Sequence, residues 1–95
     1  MAKYIILTKM SPDAFENPED FKQIAANVAA KIQCECPDLK WKHSYATLGG
    51  FDFVDIIECD DPKQVKKAAM IIHAYGHSTT ETMLATPWKE FLSML

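Results

Sequence analysis

Hydrophobic positions along the chain alternate between strand-like and helix-like spacing. Residues 3–10, 40–48, 51–59 and 78–85 are rich in branched and aromatic side chains, which is typical of strands. Only the glycine pair 49–50 separates the second and third of these segments, and two glycines there supply the positive φ angles that a tight hairpin turn requires. The pattern therefore predicts four strands, two of which are joined as a hairpin.

Two further segments carry apolar residues at helical spacing, and each begins at a capping sequence. In the first, Asn17 is the expected N-cap and Pro18 the first helical residue, and the helix should end at 34–36 because the proline that follows disfavours helical geometry in the residue before it. In the second, Asp61 is the expected N-cap and Gly76 the expected stop. A short third helix near the C-terminus has one apolar side, formed by Trp88, Phe91, Leu92 and Leu95.

The element order is β-α-β-β-α-β with a short C-terminal helix, which is the ferredoxin-like order of an α+β fold. Its four strands form one antiparallel sheet, and two helices lie on one face of that sheet. The chain has 95 residues, which is enough for one hydrophobic core and leaves no room for a second. We therefore predict a single domain over residues 1–95.

Both faces of the predicted hairpin carry large apolar side chains. With a two-residue turn, Tyr45 lies opposite Val54 and His43 lies opposite Ile56. Because two helices cover only one face of a sheet, the other face would expose an apolar patch that soluble monomers rarely carry. We therefore predict a homodimer with facing sheets, and the sequence leaves open which face the helices cover. One face carries Trp41, His43, Tyr45, Thr47, Asp52, Val54, Ile56 and Glu58, and the other carries Lys42, Ser44, Ala46, Phe53, Asp55, Ile57 and Cys59 among others.

Charge and composition argue against several functions. All ten basic residues are lysine and the net charge is −3, whereas nucleic-acid binding normally needs a basic face that displaces counterions. Without arginine, no planar guanidinium can recognise phosphate or carboxylate groups. No apolar stretch approaches the roughly 18 residues of a membrane span, and the apolar run at 4–7 is too short for a signal peptide. We predict a cytoplasmic protein that binds neither nucleic acid nor membranes.

The cysteines and histidines suggest a metal-site hypothesis, because thiolate and imidazole are zinc ligands. However, Cys34 and Cys36 are not spaced as a C-x-x-C pair, and Gly76 is expected to end the helix between His73 and His77. We therefore expect no metal and no other cofactor. Three cysteines are an odd number in a chain without a secretion signal, so we expect them to be reduced thiols.

A cluster of polar residues near one end of the hairpin is the candidate site. His43, Tyr45, Thr47 and Asp52 fall on one predicted face. Together they offer a base, a phenol, a hydroxyl and a carboxylate as the lining of a small pocket. In the structural alternative, Asp52 satisfies the hairpin through a hydrogen bond to Thr47 on the opposite strand.

The segment 45–54, with the sequence YATLGGFDFV, resembles the hairpin motif of the GYD domain family. The glycine and aspartate of that motif are present as Gly50 and Asp52, and Phe51 replaces the tyrosine, which keeps the ring and loses the hydroxyl. The resemblance extends over about residues 3–92. It implies a ferredoxin-like fold in the dimeric α+β barrel group, which includes cofactor-free monooxygenases, muconolactone isomerase and relatives of chlorite dismutase. The family has no established reaction, so the resemblance assigns no catalytic residue.

Three functions are compatible with these residues. In the first, a small cytoplasmic homodimer binds a small, partly apolar molecule in a pocket beside the sheet. In the second, a cofactor-independent monooxygenase- or isomerase-like enzyme uses His43, Tyr45 and Asp52 to move protons while apolar walls exclude water. In the third, the uncovered sheet face binds another protein. The sequence leaves open whether any reaction is catalysed.

Overall fold

Secondary structure in the computed structural model, which describes residues 1–95, follows the predicted order. The ferredoxin-like α+β fold is confirmed, with four antiparallel strands and three helices. The elements are β1 (Ala2–Met10), α1 (Asp20–Glu35), β2 (Lys40–Ala46), β3 (Phe53–Cys59), α2 (Pro62–Gly76), β4 (Ser78–Ala85) and α3 (Trp88–Ser93).

The sheet has the strand order β2-β3-β1-β4, so β1 and β3 are its two central strands. Ile6 of β1 lies opposite Asp55 of β3 on one side and Thr82 of β4 on the other. Because side chains alternate along a strand, Ile6 and Thr8 share a face with Asp55 and Ile57. This is the inner face, which the helices cover, and it is the second of the two faces predicted for the hairpin.

The hydrophobic core lies between the inner face and α2. Ile6 and Ile57 have no exposed surface, and α2 supplies four of the buried apolar side chains. In contrast, the backbone of α1 lies close to that of α2 and farther from the strands, which α1 reaches through side chains such as Phe21. The core is therefore displaced toward α2, which leaves space between α1 and part of the sheet. Its members are Ile6, Ile32, Cys36, Ile57, Cys59, Val65, Ala68, Ile71 and Ile72.

The helix starts show where local capping decides a boundary and where it does not. α2 begins as predicted, because Asp61 accepts a 2.9 Å hydrogen bond from the backbone N–H of Lys63 and a proline occupies the first helical position. α1 begins at Asp20 rather than at Pro18. A 3.0 Å hydrogen bond from the Asp20 N–H to the Asn17 carbonyl closes a separate turn before the helix.

The end of α2 corrects a smaller prediction. Gly76 is the last helical residue, and His77 takes the left-handed conformation with a φ of 49°. The histidine, and not the glycine, therefore carries the conformation that terminates the helix. His73, one turn earlier, is held by β4: its Nε2 accepts a 3.1 Å hydrogen bond from the Thr80 backbone N–H.

The connection between β2 and β3 is longer than the predicted two-residue turn. β2 ends at Ala46 and β3 begins at Phe53, and a 2.8 Å hydrogen bond from the Thr47 N–H to the Asp52 carbonyl closes the loop. The predicted pairs hold, because Tyr45 lies opposite Val54 and His43 lies opposite Ile56. Only Gly49 of the glycine pair has a positive φ, of 122°.

A β-bulge in the edge strand β2 corrects the predicted position of one aromatic side chain. Trp41 pairs with Ile57 and His43 pairs with Ile56, so Lys42 is an extra residue without its own partner. The bulge turns Trp41 to the inner face, whereas uninterrupted alternation placed it on the other face. Lys42 instead turns outward, where its Nζ lies 3.9 Å from a carboxylate oxygen of Glu58.

The opposite side of the sheet, the outer face, carries apolar side chains that remain at least partly exposed. α3 also lies apart from the body, and Trp88 on it is 70% exposed. None of the three helices is long and apolar enough to cross a membrane. The large apolar side chains of the outer face are Ile5, Leu7, Tyr45, Val54, Ile56 and Met83.

Candidate functional site

A cleft of about 710 Å³ lies between α1 and the inner face of the sheet, and we call it the α1 cleft. It exists because α1 packs on α2 and is spaced from the strands. Thirteen of its 19 lining residues are hydrophobic. On α1 the small side chains of Ala25 and Ala29 line it, and Phe21 stacks on Phe53 of β3 with ring centroids 5.1 Å apart. Its size and lining are those of a small-molecule pocket.

A carboxyl group lies among these apolar walls. Asp55 is only 8% exposed, and its Oδ1 accepts a 3.2 Å hydrogen bond from Nε1 of Trp41. The same indole N–H lies 2.7 Å from the hydroxyl oxygen of Ser44. The β-bulge produces this group, since it brings Trp41 to the face where Ser44 and Asp55 already lie.

Burial dominates the electrostatics of this carboxyl. Removal from water raises the pKa of Asp55 above its ordinary 3.8, and hydrogen bonds from Ser44 and Trp41 offset part of that rise. No ion pair involves Asp55, and no lysine or histidine lines the cleft. Nearby, Oγ1 of Thr8 is buried without a hydrogen-bond partner. The cleft therefore holds two buried polar groups whose hydrogen-bonding capacity the protein leaves partly unused.

Stability should depend on pH through Asp55. A raised folded-state pKa means that the unfolded chain loses this proton first, so Asp55 stabilises the fold below about pH 4 and this contribution is lost as the pH rises through the folded value. Asp55→Asn, which cannot ionise, should therefore gain stability relative to the natural protein as the pH rises from about 4. Urea unfolding at a series of pH values measures this difference. The exposed Asp13→Asn variant should show no such trend, and a difference that grows toward low pH would contradict the assignment.

The cysteines lie mostly in the core. Cys36 lines the α1 cleft but is 1% exposed, and burial raises the pKa of its thiol. Cys59 is also buried, and its thiol donates to the Asp61 carbonyl at 3.4 Å, while Cys34 is exposed. No three His, Cys, Asp or Glu side chains in the chain are grouped so that they could hold a metal ion.

The four residues predicted to line a pocket do not form one group. Of the four, only Tyr45 is among the lining residues of the α1 cleft, on the edge strand β2, although its side chain belongs to the outer face. His43 stacks with Tyr45 at a centroid distance of 6.3 Å. Oδ2 of Asp52 accepts a 2.8 Å hydrogen bond from the Met10 N–H, and the Thr47 hydroxyl donates to the Phe51 carbonyl at 2.6 Å. Asp52 thus ties the hairpin loop to β1. As in the structural alternative, its side chain forms a hydrogen bond that supports the hairpin, but the partner is Met10 and not Thr47.

Sequence reasoning missed Asp55 as a site residue. Its signal was a single acid between apolar neighbours on one face of β3, flanked two residues away by Phe53 and Ile57. A buried carboxyl of this kind favours a functional site because its desolvation is unfavourable unless something compensates for it. Trp41 could not be assigned to the same site without the bulge.

Nearly the whole chain is similar to one known protein family. A profile of the GYD domain matches residues 4–95. The chain belongs to the GYD domain family. The predicted resemblance is thereby confirmed. In this GYD protein, Gly50, Phe51 and Asp52 of the naming motif lie in the loop between β2 and β3, outside the lining of the α1 cleft.

One relative, from Thermus thermophilus, is named "Glutamine synthetase and cystathionine beta-lyase binding protein". It is 26% identical over 99 residues, which cover 100% of this chain and 99% of the relative.

Solved structures support the fold. TTHA0845 from Thermus thermophilus superposes with a TM-score of 0.59 at 19% identity, over 92% of this chain and 95% of that one. The leucine response regulatory protein LrpA of Mycobacterium tuberculosis gives a TM-score of 0.62 at 9% identity, over 90% of this chain. This chain covers 51% of LrpA, about half of that protein's length. At these identities the likeness concerns the fold alone.

Proposed function

We propose that this GYD protein is a homodimeric binding protein that holds a small, partly apolar molecule in the α1 cleft. The observation that carries the proposal is a pocket-sized apolar cleft with a buried carboxyl, Asp55, among its walls. Apolar walls supply affinity, and the few polar groups fix the orientation of a bound molecule. An apolar body that loses roughly 150 Å² of exposed surface in such a cleft gains about 4 kcal/mol.

The homodimer part of the proposal rests on the outer face. Its apolar side chains come from all four strands and are only partly covered within one chain. Such a continuous patch is typical of a protein interface, and a second copy of the same face is the simplest partner that is always present. The three free thiols are typical of a reducing compartment and support a cytoplasmic location.

Protein binding is a second candidate function. The relative from Thermus thermophilus is named for binding two enzymes, and this chain has an exposed helix, α3, with an aromatic pair on it. Trp88 and Phe91 have ring centroids 5.8 Å apart and are 70% and 40% exposed. Exposed aromatic side chains of this kind are common anchors in protein interfaces. Binding in the α1 cleft and binding through α3 are compatible because they use different surfaces.

Filling the α1 cleft should abolish small-molecule binding without loss of fold. Ala29→Trp places an indole in the cleft from α1, and the control Ala30→Trp places one at a position of the same helix that does not line the cleft. We expect the neutral apolar dye Nile red to bind the natural protein and the Ala30→Trp control alike. It should bind the Ala29→Trp variant at least about tenfold more weakly.

Dye emission and circular dichroism of the three proteins provide the measurement. Equal dye binding by both variants would show that the dye binds elsewhere, for example on the outer face, and would remove the support for the cleft. Native mass spectrometry of freshly purified protein adds a direct search for a retained small molecule.

A further inference from the structure

The charges around the α1 cleft restrict what it can bind. Among its lining residues, Asp55 is the only acid, and there is no lysine, arginine or histidine. The other titratable residues that line it are Cys36, whose buried thiol has a raised pKa and is neutral at neutral pH, and Tyr45, whose side chain lies on the outer face opposite Val54. α1 and α2 contribute no charged group to the lining. An anionic molecule would therefore lose its hydration without gaining a positive partner.

A positively charged group fits the same position. The carboxylate of Asp55 is buried and forms no ion pair, so only the hydrogen bonds from Ser44 and Trp41 compensate its charge within the chain. A cation in the cleft would supply the missing opposite charge, and its N–H groups would find acceptors. Charge-assisted hydrogen bonds of this type are stronger than neutral ones.

The second acceptor is the orphaned hydroxyl of Thr8. Thr8 pairs with Phe53, and Ile6 pairs with Asp55, so Thr8 and Asp55 are diagonal neighbours on the inner face. Diagonal neighbours have Cα atoms about 7–8 Å apart. With N···O distances of about 2.8 Å, an ammonium group between them spans both oxygens once the side chains that cover Oγ1 of Thr8 move aside. Oγ1 of Thr8 would then gain the partner that it lacks.

Aromatic walls suit the rest of such a molecule. Trp41 and Phe53 line the cleft beside Asp55, and Phe21 stacks on Phe53. Ring faces attract both apolar groups and cations. An amine that carries a flat or branched apolar body would meet the carboxylate at one end and the rings at the other.

We propose that the α1 cleft binds an organic cation, an apolar amine whose ammonium group lies between Asp55 and Thr8. This inference rests on the proposed function, since it names the class of molecule that the cleft holds. Neutral and anionic molecules of the same shape should bind more weakly, because they leave the ionised carboxylate uncompensated or add a second negative charge beside it.

Three probes with the same phenyl group test the inference: 2-phenylethylammonium, the neutral 2-phenylethanol and the anion phenylacetate. Trp88→Phe leaves Trp41 as the only tryptophan, so its emission reports from the cleft. We expect the ammonium probe to bind about tenfold more tightly than the alcohol, and phenylacetate to bind most weakly. The affinity for the ammonium probe should rise with pH as Asp55 ionises, and the affinity for the alcohol should not.

Two variants and one control separate the site from general electrostatic attraction. Asp55→Asn should bring the ammonium-to-alcohol ratio close to one, and Thr8→Val should lower the ammonium affinity by about threefold or more. Glu58→Gln removes an acid from the same strand, but on the outer face beside Lys3 and Lys42, and should leave the ratio unchanged.

The outcomes distinguish this inference from the proposed function. Equal affinity for amine and alcohol, tightest binding of phenylacetate, or an unchanged ratio in Asp55→Asn overturns the cation inference while the cleft remains a binding site. If Nile red binds the cleft but no phenyl probe does, the cation inference also fails. If neither the dye nor any probe binds, the proposed function fails together with it.

Discussion

Ile56→Asp should convert the protein to a monomer at micromolar concentration. Ile56 lies within the outer face, opposite Ile5 on one side and His43 on the other. In a dimer with facing sheets, the new carboxylate would be buried without a partner, at a cost of several kcal/mol. Because a two-fold interface contains the substitution twice, the dissociation constant should rise by about a thousandfold or more.

Sedimentation velocity or native mass spectrometry of the natural protein and the variant provides the measurement. Met70→Asp is the matched control, because Met70 is 60% exposed on α2 and the change is chemically similar. A natural protein that is monomeric would overturn the homodimer. A dimer that persists in Ile56→Asp would place the interface elsewhere, with α3 as the other exposed apolar surface.

Ile6→Ala should cause the largest loss of stability of any substitution considered. Ile6 has no exposed surface and lies on the central strand β1, where it packs in the core against α2. Truncation of a buried isoleucine to alanine usually costs about 2–5 kcal/mol, because the lost contacts leave a cavity. In a domain of this size that corresponds to a fall in Tm of roughly 10–30 °C.

The informative comparison is Ile24→Ala on α1. Ile24 lines the α1 cleft and is partly exposed, so its truncation enlarges an existing space instead of creating a new cavity. We expect a loss of less than about 2 kcal/mol for this variant. Thermal and urea unfolding measure both values. Equal losses at positions 6 and 24 would mean that the cleft is closed in solution, which would contradict the pocket.

The element order was predictable because its signals are local. Asp61 and the proline after it define the start of α2 within one turn, and the hairpin partners follow from the short distance between two strands. The start of α1 was less predictable, because the turn closed by Asn17 and Asp20 competes with the helix for the same residues. A helix start is therefore predictable where one local interaction dominates, as at Asp61, and less predictable where two compete, as between Asn17 and Asp20.

The candidate site was harder to predict, because it depends on distant packing. Both faces of β3 carry apolar residues, so alternation alone does not show whether Asp55 or Asp52 faces the helices. The α1 cleft itself exists only because α1 packs against α2 at a distance from the sheet. Nothing in the spacing of Phe21, Ala25 and Ala29 on α1 distinguishes a stripe that faces a cleft from one that contacts strands directly.

The bulge in β2 has a further consequence for the chemistry of Asp55. If the strand ran straight, Lys42 would take the inward position that Trp41 now occupies, next to the carboxylate, and would neutralise it from within the chain. The bulged arrangement instead presents an indole N–H and keeps Lys42 outside, beside Glu58. Trp41 and Lys42, the two alternative partners of Asp55, are thus adjacent in the sequence of β2. Because β2 is an edge strand and pairs on one side only, it accommodates a bulge that selects between them. Whether the cleft is open to an external cation or already neutralised by the chain's own lysine depends on this single irregularity.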